Sequence, residues 1–178
     1  MNLIVYFHGF GSNANSDKVR QLGAAFPNDI VLSWNIDHRD PERSIKELCI
    51  KLDSTLIDGV HKYRKVVFVG TSLGAWYAKK LGDIYHAEMW LANPCFEPSK
   101  TLIELKVESE IANKYEKIIP PQTMVKYFLS KYDEVIDHSE LITEVKSSLI
   151  TIVDGETHRF NKRGFQLVME DIEKYLSK

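Results

Sequence analysis

Only two cysteines, Cys49 and Cys95, occur in the 178 residues, too few for a disulfide framework and in no metal-binding spacing. A reducing, cytoplasmic setting is the expectation. Equally scarce is any excess of charge: 23 Lys and Arg stand against 25 Asp and Glu, with no block of like sign. Such a chain has no basic surplus to condense on nucleic acid or an anionic membrane, which leaves a small neutral ligand or a protein partner. Long apolar runs are missing too. The opening MNLIVYFHGF has no basic flank and its apolar stretch stops before His8, far short of the roughly 18 residues that span a bilayer. With no internal repeat, low-complexity tract or linker, and with 44% hydrophobic residues, residues 1–178 read as one domain with a full core.

What the chain does contain is alternation. Short runs rich in β-branched and aromatic residues recur at Leu3–Phe7, Ile30–Trp34, Val66–Gly70, Glu88–Ala92, Met124–Leu129 and Leu149–Val153, and each reads as a strand. Helical spacing lies between them. After Asp40 and Pro41, suited to a cap and a first helical position, Ile45, Leu48, Cys49, Leu52 and Leu56 form one apolar stripe. Phe165, Val168, Met169, Ile172, Tyr175 and Leu176 form another, and a weaker one spans Ser16–Phe26. Strand–helix alternation with strands apolar on both faces argues for an α/β fold, a parallel sheet covered by helices on each side. Ligands then bind beyond the carboxyl ends of the strands, so the loops after strands are where chemistry is sought.

Gly70-Thr-Ser-Leu-Gly74 fits the GxSxG turn between a strand and a helix, which presents a serine hydroxyl clear of the backbone. The helix starting near Leu73 aims N–H groups at the same spot. Ser72 is therefore the candidate nucleophile, and it needs a base oriented by a carboxylate. Among six histidines, His61 and His86 precede strands, His38 follows an edge strand and His138 reads as helical, leaving His8 and His158. The chain order nucleophile, acid, histidine selects His158 and leaves His8 a structural role. Asp133, in the loop before the one carrying His158, is the candidate acid. Its competitors fit other tasks: Glu134 points away if the turn is extended, Asp137 caps a helix, and Asp154-Gly155 is a turn pair. The N–H groups of Phe10, following His8-Gly9, and of Leu73 would hold a developing oxyanion. Cys95 lacks any such turn and reads as a small buried thiol.

Together, HGF near the amino terminus, GTSLG, Asn93-Pro94, the DEVID from Asp133 and the final GETHRF resemble the YqiA/YcfP-like small esterase family of the α/β-hydrolase superfamily, nearly end to end. The resemblance implies a compact hydrolase fold with sheet order 2-1-3-4-5-6. The expected activity is cleavage of a small-molecule carboxylic ester or thioester through Ser72, His158 and Asp133, without metal or organic cofactor. Acyl transfer to an alcohol or thiol would use the same residues. A binding protein that keeps the fold without turnover is the reading from another class, and the joint presence of the three residues argues against it. Residues 96–121 are long for a simple crossover; Ile103, Val107 and Ile111 at four-residue spacing suit a small lid or a plain crossover helix.

Overall fold

Every one of the six apolar runs becomes a strand. In the computed structural model, which describes residues 1–57 and 63–178, these are β1 (Leu3–Phe7), β2 (Ile30–Ser33), β3 (Val66–Thr71), β4 (Glu88–Ala92), β5 (Val125–Ser130) and β6 (Ile150–Val153). All neighbouring strands pair in parallel, in the order β2-β1-β3-β4-β5-β6. Two strand starts differ from the sequence reading for local reasons. Met124 has φ +55°, which no strand accommodates, and Ser147–Leu149 form a turn of 3₁₀ helix before β6.

Strand periodicity sorts the apolar side chains into two cores, one on each face. Leu3, Val5, Phe7, Phe68, Met89, Leu91, Tyr127 and Leu129 pack on one side, against α2 (Pro41–Ile57) and α3 (Leu73–Tyr85). Ile4, Tyr6, Val67, Val69, Trp90 and Phe128 pack on the other, against α1 (Asp17–Ala25) and α7 (Lys162–Leu176). The cap expected at Asp40 forms, and one not read from the sequence forms at Asn161. Asp40 Oδ1 accepts the Arg43 N–H at 3.1 Å, and Asn161 Oδ1 accepts those of Arg163 and Gly164. Among the described residues no helix is long and apolar enough to cross a membrane.

The stripe expected over Ile103, Val107 and Ile111 is not one helix. α4 (Pro98–Glu104) ends in a Schellman turn: Lys106 takes φ +62°, its N–H bonds Ile103 O, and the Val107 N–H bonds Leu102 O, both at 2.9 Å. α5 (Ser109–Ala112) is a single turn, and Ile103 stays half-exposed. The remaining helix, α6 (Ser139–Glu144), follows β5.

Order reverses between β1 and β3, so the loop after β1 and the turn after β3 share the switch point. His8 ties that first loop down. Its Nδ1 donates to Gly9 O at 3.0 Å and its Nε2 accepts the Ile36 N–H at 3.1 Å, an arrangement only the neutral ring can make. Burial holds it below the usual histidine value. The His38 ring lies 5.2 Å from His8, 5.9 Å from Phe10 and 5.5 Å from Tyr77. Burial, then the neighbouring His8, push His38 down to about 4; the Gly9 carbonyl offsets this in part but is engaged by His8. Among the described residues neither His38 ring nitrogen has a hydrogen-bond partner.

Both histidines therefore bind protons at lower pH folded than unfolded, so stability is full above the ordinary value of 6.5 and declines as pH falls toward about 4. Urea midpoints should be level from pH 8 to about 6.5 and then drop. His38→Phe keeps the aromatic contacts and removes one titration, so its midpoint should drop less steeply; an identical slope would show that His38 does not couple to folding.

Candidate active site

The turn after β3 is built around missing side chains. A Cβ on Gly74 would lie 2.0 Å from Phe7 O, and one on Gly70 would lie 2.6 Å from Ala75 Cα, so α3 can press against β1 only with glycine at 74 and against its own strand β3 only with glycine at 70. Between them Ser72 takes φ +53° and ψ −124°. A non-glycine residue there costs of order 1–3 kcal/mol. Three backbone bonds hold it: Ser72 N–H to Ala92 O at 3.0 Å, and its carbonyl accepting from Ala75 at 3.0 Å and Cys95 at 3.1 Å. At about 1 kcal/mol each, these match the strain.

The hydroxyl so presented is 2.8 Å from His158 Nε2. His158 Nδ1 lies 3.0 Å from each oxygen of Asp133. A carboxylate only accepts, so Nδ1 carries the proton and Nε2 is left to accept from the serine hydroxyl. The Asp133 side chain is 3% exposed and that of His158 11%. Burial alone would raise the Asp133 carboxyl. Bonds from His138 and His158 and from the Ile136 and Val135 N–H groups more than offset this, and the acid sits well below the ordinary carboxylate range. Two of its competitors are engaged elsewhere: Asp137 accepts the Ser139 N–H at 2.9 Å, and Asp154 accepts that of Gly155 at 2.9 Å.

Gly9 abuts the turn, since a Cβ there would sit 3.2 Å from Ser72 Cβ, and Phe10, 43% exposed, follows it. Leu73 is the first residue of α3, where N–H groups have no partner inside the helix. Among the described residues neither the Phe10 nor the Leu73 N–H is paired within the chain. Cys95 is buried, its thiol pushed up to about 11 chiefly by burial. No group of three or more His, Cys, Asp or Glu side chains is arranged to hold a metal among the described residues. His86 closes the far end of α3, and His61 lies outside the described residues.

Three contributors escaped the sequence reading. Glu134 does not point away: its Oε2 accepts the His158 backbone N–H at 2.9 Å, because the turn after β5 is not extended. Asn93, fully buried at φ +44°, donates from Nδ2 to His158 O at 2.9 Å and to Ser130 Oγ at 2.7 Å, while its Oδ1 accepts the Ser130 N–H at 2.7 Å. It fastens the His158 loop to the ends of β4 and β5. His138, set aside as helical, caps α6 and reaches back to Asp133 Oδ2 at 2.9 Å. The dipeptide Asn93-Pro94 directly after a strand was the one available signal for the second of these.

A cavity of about 810 Å³ opens beside Asp133, lined on one side by Phe96, Lys100 and Ile118 and on the other by His138 and Leu141; neither Ser72 nor His158 lines it.

The model of UPF0227, described as an uncharacterised protein family, matches residues 3–176. A UPF0227 protein of Vibrio campbellii is 30% identical over 169 residues, covering 90% of this chain and 92% of that one. UPF0227 protein YcfP of Salmonella arizonae is 27% identical over 169 residues, covering 89% and 91%. Among solved structures, Est1E from Butyrivibrio proteoclasticus superposes with a TM-score of 0.73 at 11% identity, covering 99% of this chain and 89% of that one. The type II thioesterase BorB from the borrelidin biosynthetic cluster gives 0.63 at 15% identity, covering 99% and 92%. At those identities the likeness establishes the fold, that of the α/β hydrolases. With its family model spanning almost the entire sequence, the chain belongs to UPF0227, the YcfP/YqiA-like family.

Proposed function

We propose that the protein is a serine hydrolase acting on small carboxylic esters or thioesters. One observation carries the reading: the continuous hydrogen-bond path from Ser72 Oγ through His158 to buried Asp133, starting on a residue held at φ +53°. In this reading Ser72 Oγ attacks the acyl carbon while His158 Nε2 takes the hydroxyl proton. The tetrahedral oxyanion lies against the N–H groups of Phe10 and Leu73, the second at the positive end of the α3 dipole. His158 then returns the proton to the departing alkoxide or thiolate, leaving an acyl-serine. Water, deprotonated by the same imidazole, attacks that ester; the acyl C–Oγ bond then breaks as His158 passes the proton to Ser72 Oγ, which frees the acid and restores the serine. Asp133 keeps Nδ1–H in place and balances the imidazolium.

Residues 96–121 act in this reading as crossover and small cover together. They are bound down onto α3 by Trp76 Nε1–H to Glu116 O at 3.0 Å and by the Tyr77–Tyr115 hydroxyl contact at 2.9 Å. The roomy cavity lies on the acid's side, so a long acyl chain on Ser72 gains no enclosure from it.

A fluorophosphonate probe should give a single adduct on Ser72, read by mass spectrometry and lost in Ser72→Ala. Asp133→Asn should lower kcat by about 10⁴, with Asp137→Asn and Asp154→Asn costing far less. Labelling that persists without Ser72 overturns the proposal, and a reversed ranking reassigns the acid. Across p-nitrophenyl esters of about two to sixteen carbons, kcat/KM should peak at short to medium chains, since each sheltered methylene is worth about 0.8 kcal/mol only where an enclosed tunnel exists. A steady rise through the longest members, below their micelle concentrations, would refute the shallow site.

A further inference from the structure

The acid of the proposed triad touches two histidines. Asp133 Oδ1 accepts the Val135 and Ile136 N–H groups, each at 2.9 Å, and this tight turn brings His138 back so that its Nε2 lies 2.9 Å from Oδ2. The side chains of Asp133 and His138 are 3% and 7% exposed, so the contact is not a surface ion pair. An ionised carboxylate accepts, hence His138 donates from Nε2–H.

A carboxylate can rotate about its Cβ–Cγ bond. Because the group is planar, that rotation carries both oxygens together, and it is opposed at Oδ1 by the two backbone donors and at Oδ2, on the side of the cavity, by His138. The His138 bond thus adds the restraint at the second oxygen and holds both at 3.0 Å from His158 Nδ1. It also gives Oδ2 a second donor beside His158 Nδ1–H, and each donor to a buried carboxylate favours the anion over the protonated acid.

We infer that His138 is a positioning residue of the site, holding Asp133 ionised and aimed at His158 through its Nε2–H. The inference rests on the proposed serine hydrolase chemistry and extends it by one residue. His138 does not reach substrate and takes no proton from it; it acts through Asp133.

Two substitutions separate this role from plain packing. His138→Leu fills a similar volume without a donor, whereas His138→Gln places an amide N–H where Nε2–H stood. With p-nitrophenyl acetate, His138→Leu should lose about 10- to 100-fold in kcat with KM changed less than about twofold, and fluorophosphonate labelling of Ser72 should slow in parallel. His138→Gln should recover kcat to within about threefold of the unsubstituted protein. Melting curves accompany each variant, and if His138→Leu does not fold, His138→Asn, whose amide is too short to reach Oδ2, takes its place. Unchanged kcat in the donor-less variant, equal losses in both variants, or a loss carried by KM would each overturn the inference while leaving the hydrolase reading intact. Failure of the unsubstituted protein to label at Ser72 would remove both.

Discussion

The contact on which the rest of this molecule turns is the approach of α3 to the end of β1. At Gly74 the backbone of the helix comes so near Phe7 O that there is no volume for even a methyl group. That proximity sets the geometry on both sides of the switch point. On one side it forces a sharp turn at Ser72, which can leave its strand only through a positive φ. On the other it packs Gly9 directly against Ser72 and so directs the following residue, Phe10, along the rim. The strain at Ser72 is offset by backbone bonds to β4 and to the turn at Cys95. A helix a few tenths of an ångström farther out would relax the turn and separate the hydroxyl from the groups arranged around it.

Much of this could be read from residues alone, for physical reasons. Parallel strands buried on both faces are unbroken β-branched and aromatic runs, so β1, β3 and β4 stand out at nearly their observed bounds. Glycine at two fixed positions around Ser72 is a steric signature that propensity does not blur. What could not be read depends on how loops fold back. Glu134 lies beside Asp133 in sequence, and whether it faces His158 depends on the two N–H groups that Asp133 gathers, which alternation cannot reveal. His138 looked like part of a helix and is its cap, a difference of one residue that turns its ring toward the site. The Ile103–Ile111 spacing failed for a similar reason: a Schellman turn at Lys106 interrupts four-residue periodicity without any glycine or proline to announce it.

Polar side chains do the fastening beyond the strand ends. Asn93 is the plainest case, a buried amide whose oxygen and nitrogen are both spent on β5 and on the loop of His158. Deep in the sheet such a side chain would be costly; at the strand ends, where backbone groups run out of ladder partners, it supplies what the ladder no longer can. Glu134 does the same from the neighbouring loop, accepting an N–H that has no strand to pair with.

The two cores make the site a joint. Ser72 is carried by α3, which belongs to the layer on one face of the sheet, and His158 leads through Phe160 into α7, which belongs to the layer on the other. The 2.8 Å contact between them therefore bridges the two layers beyond the ends of the strands. Any sliding of one helical layer relative to the other, from a core substitution far from the loops or from a partner pressing on one face, would be felt first as a change in that single distance, long before either layer lost its own packing.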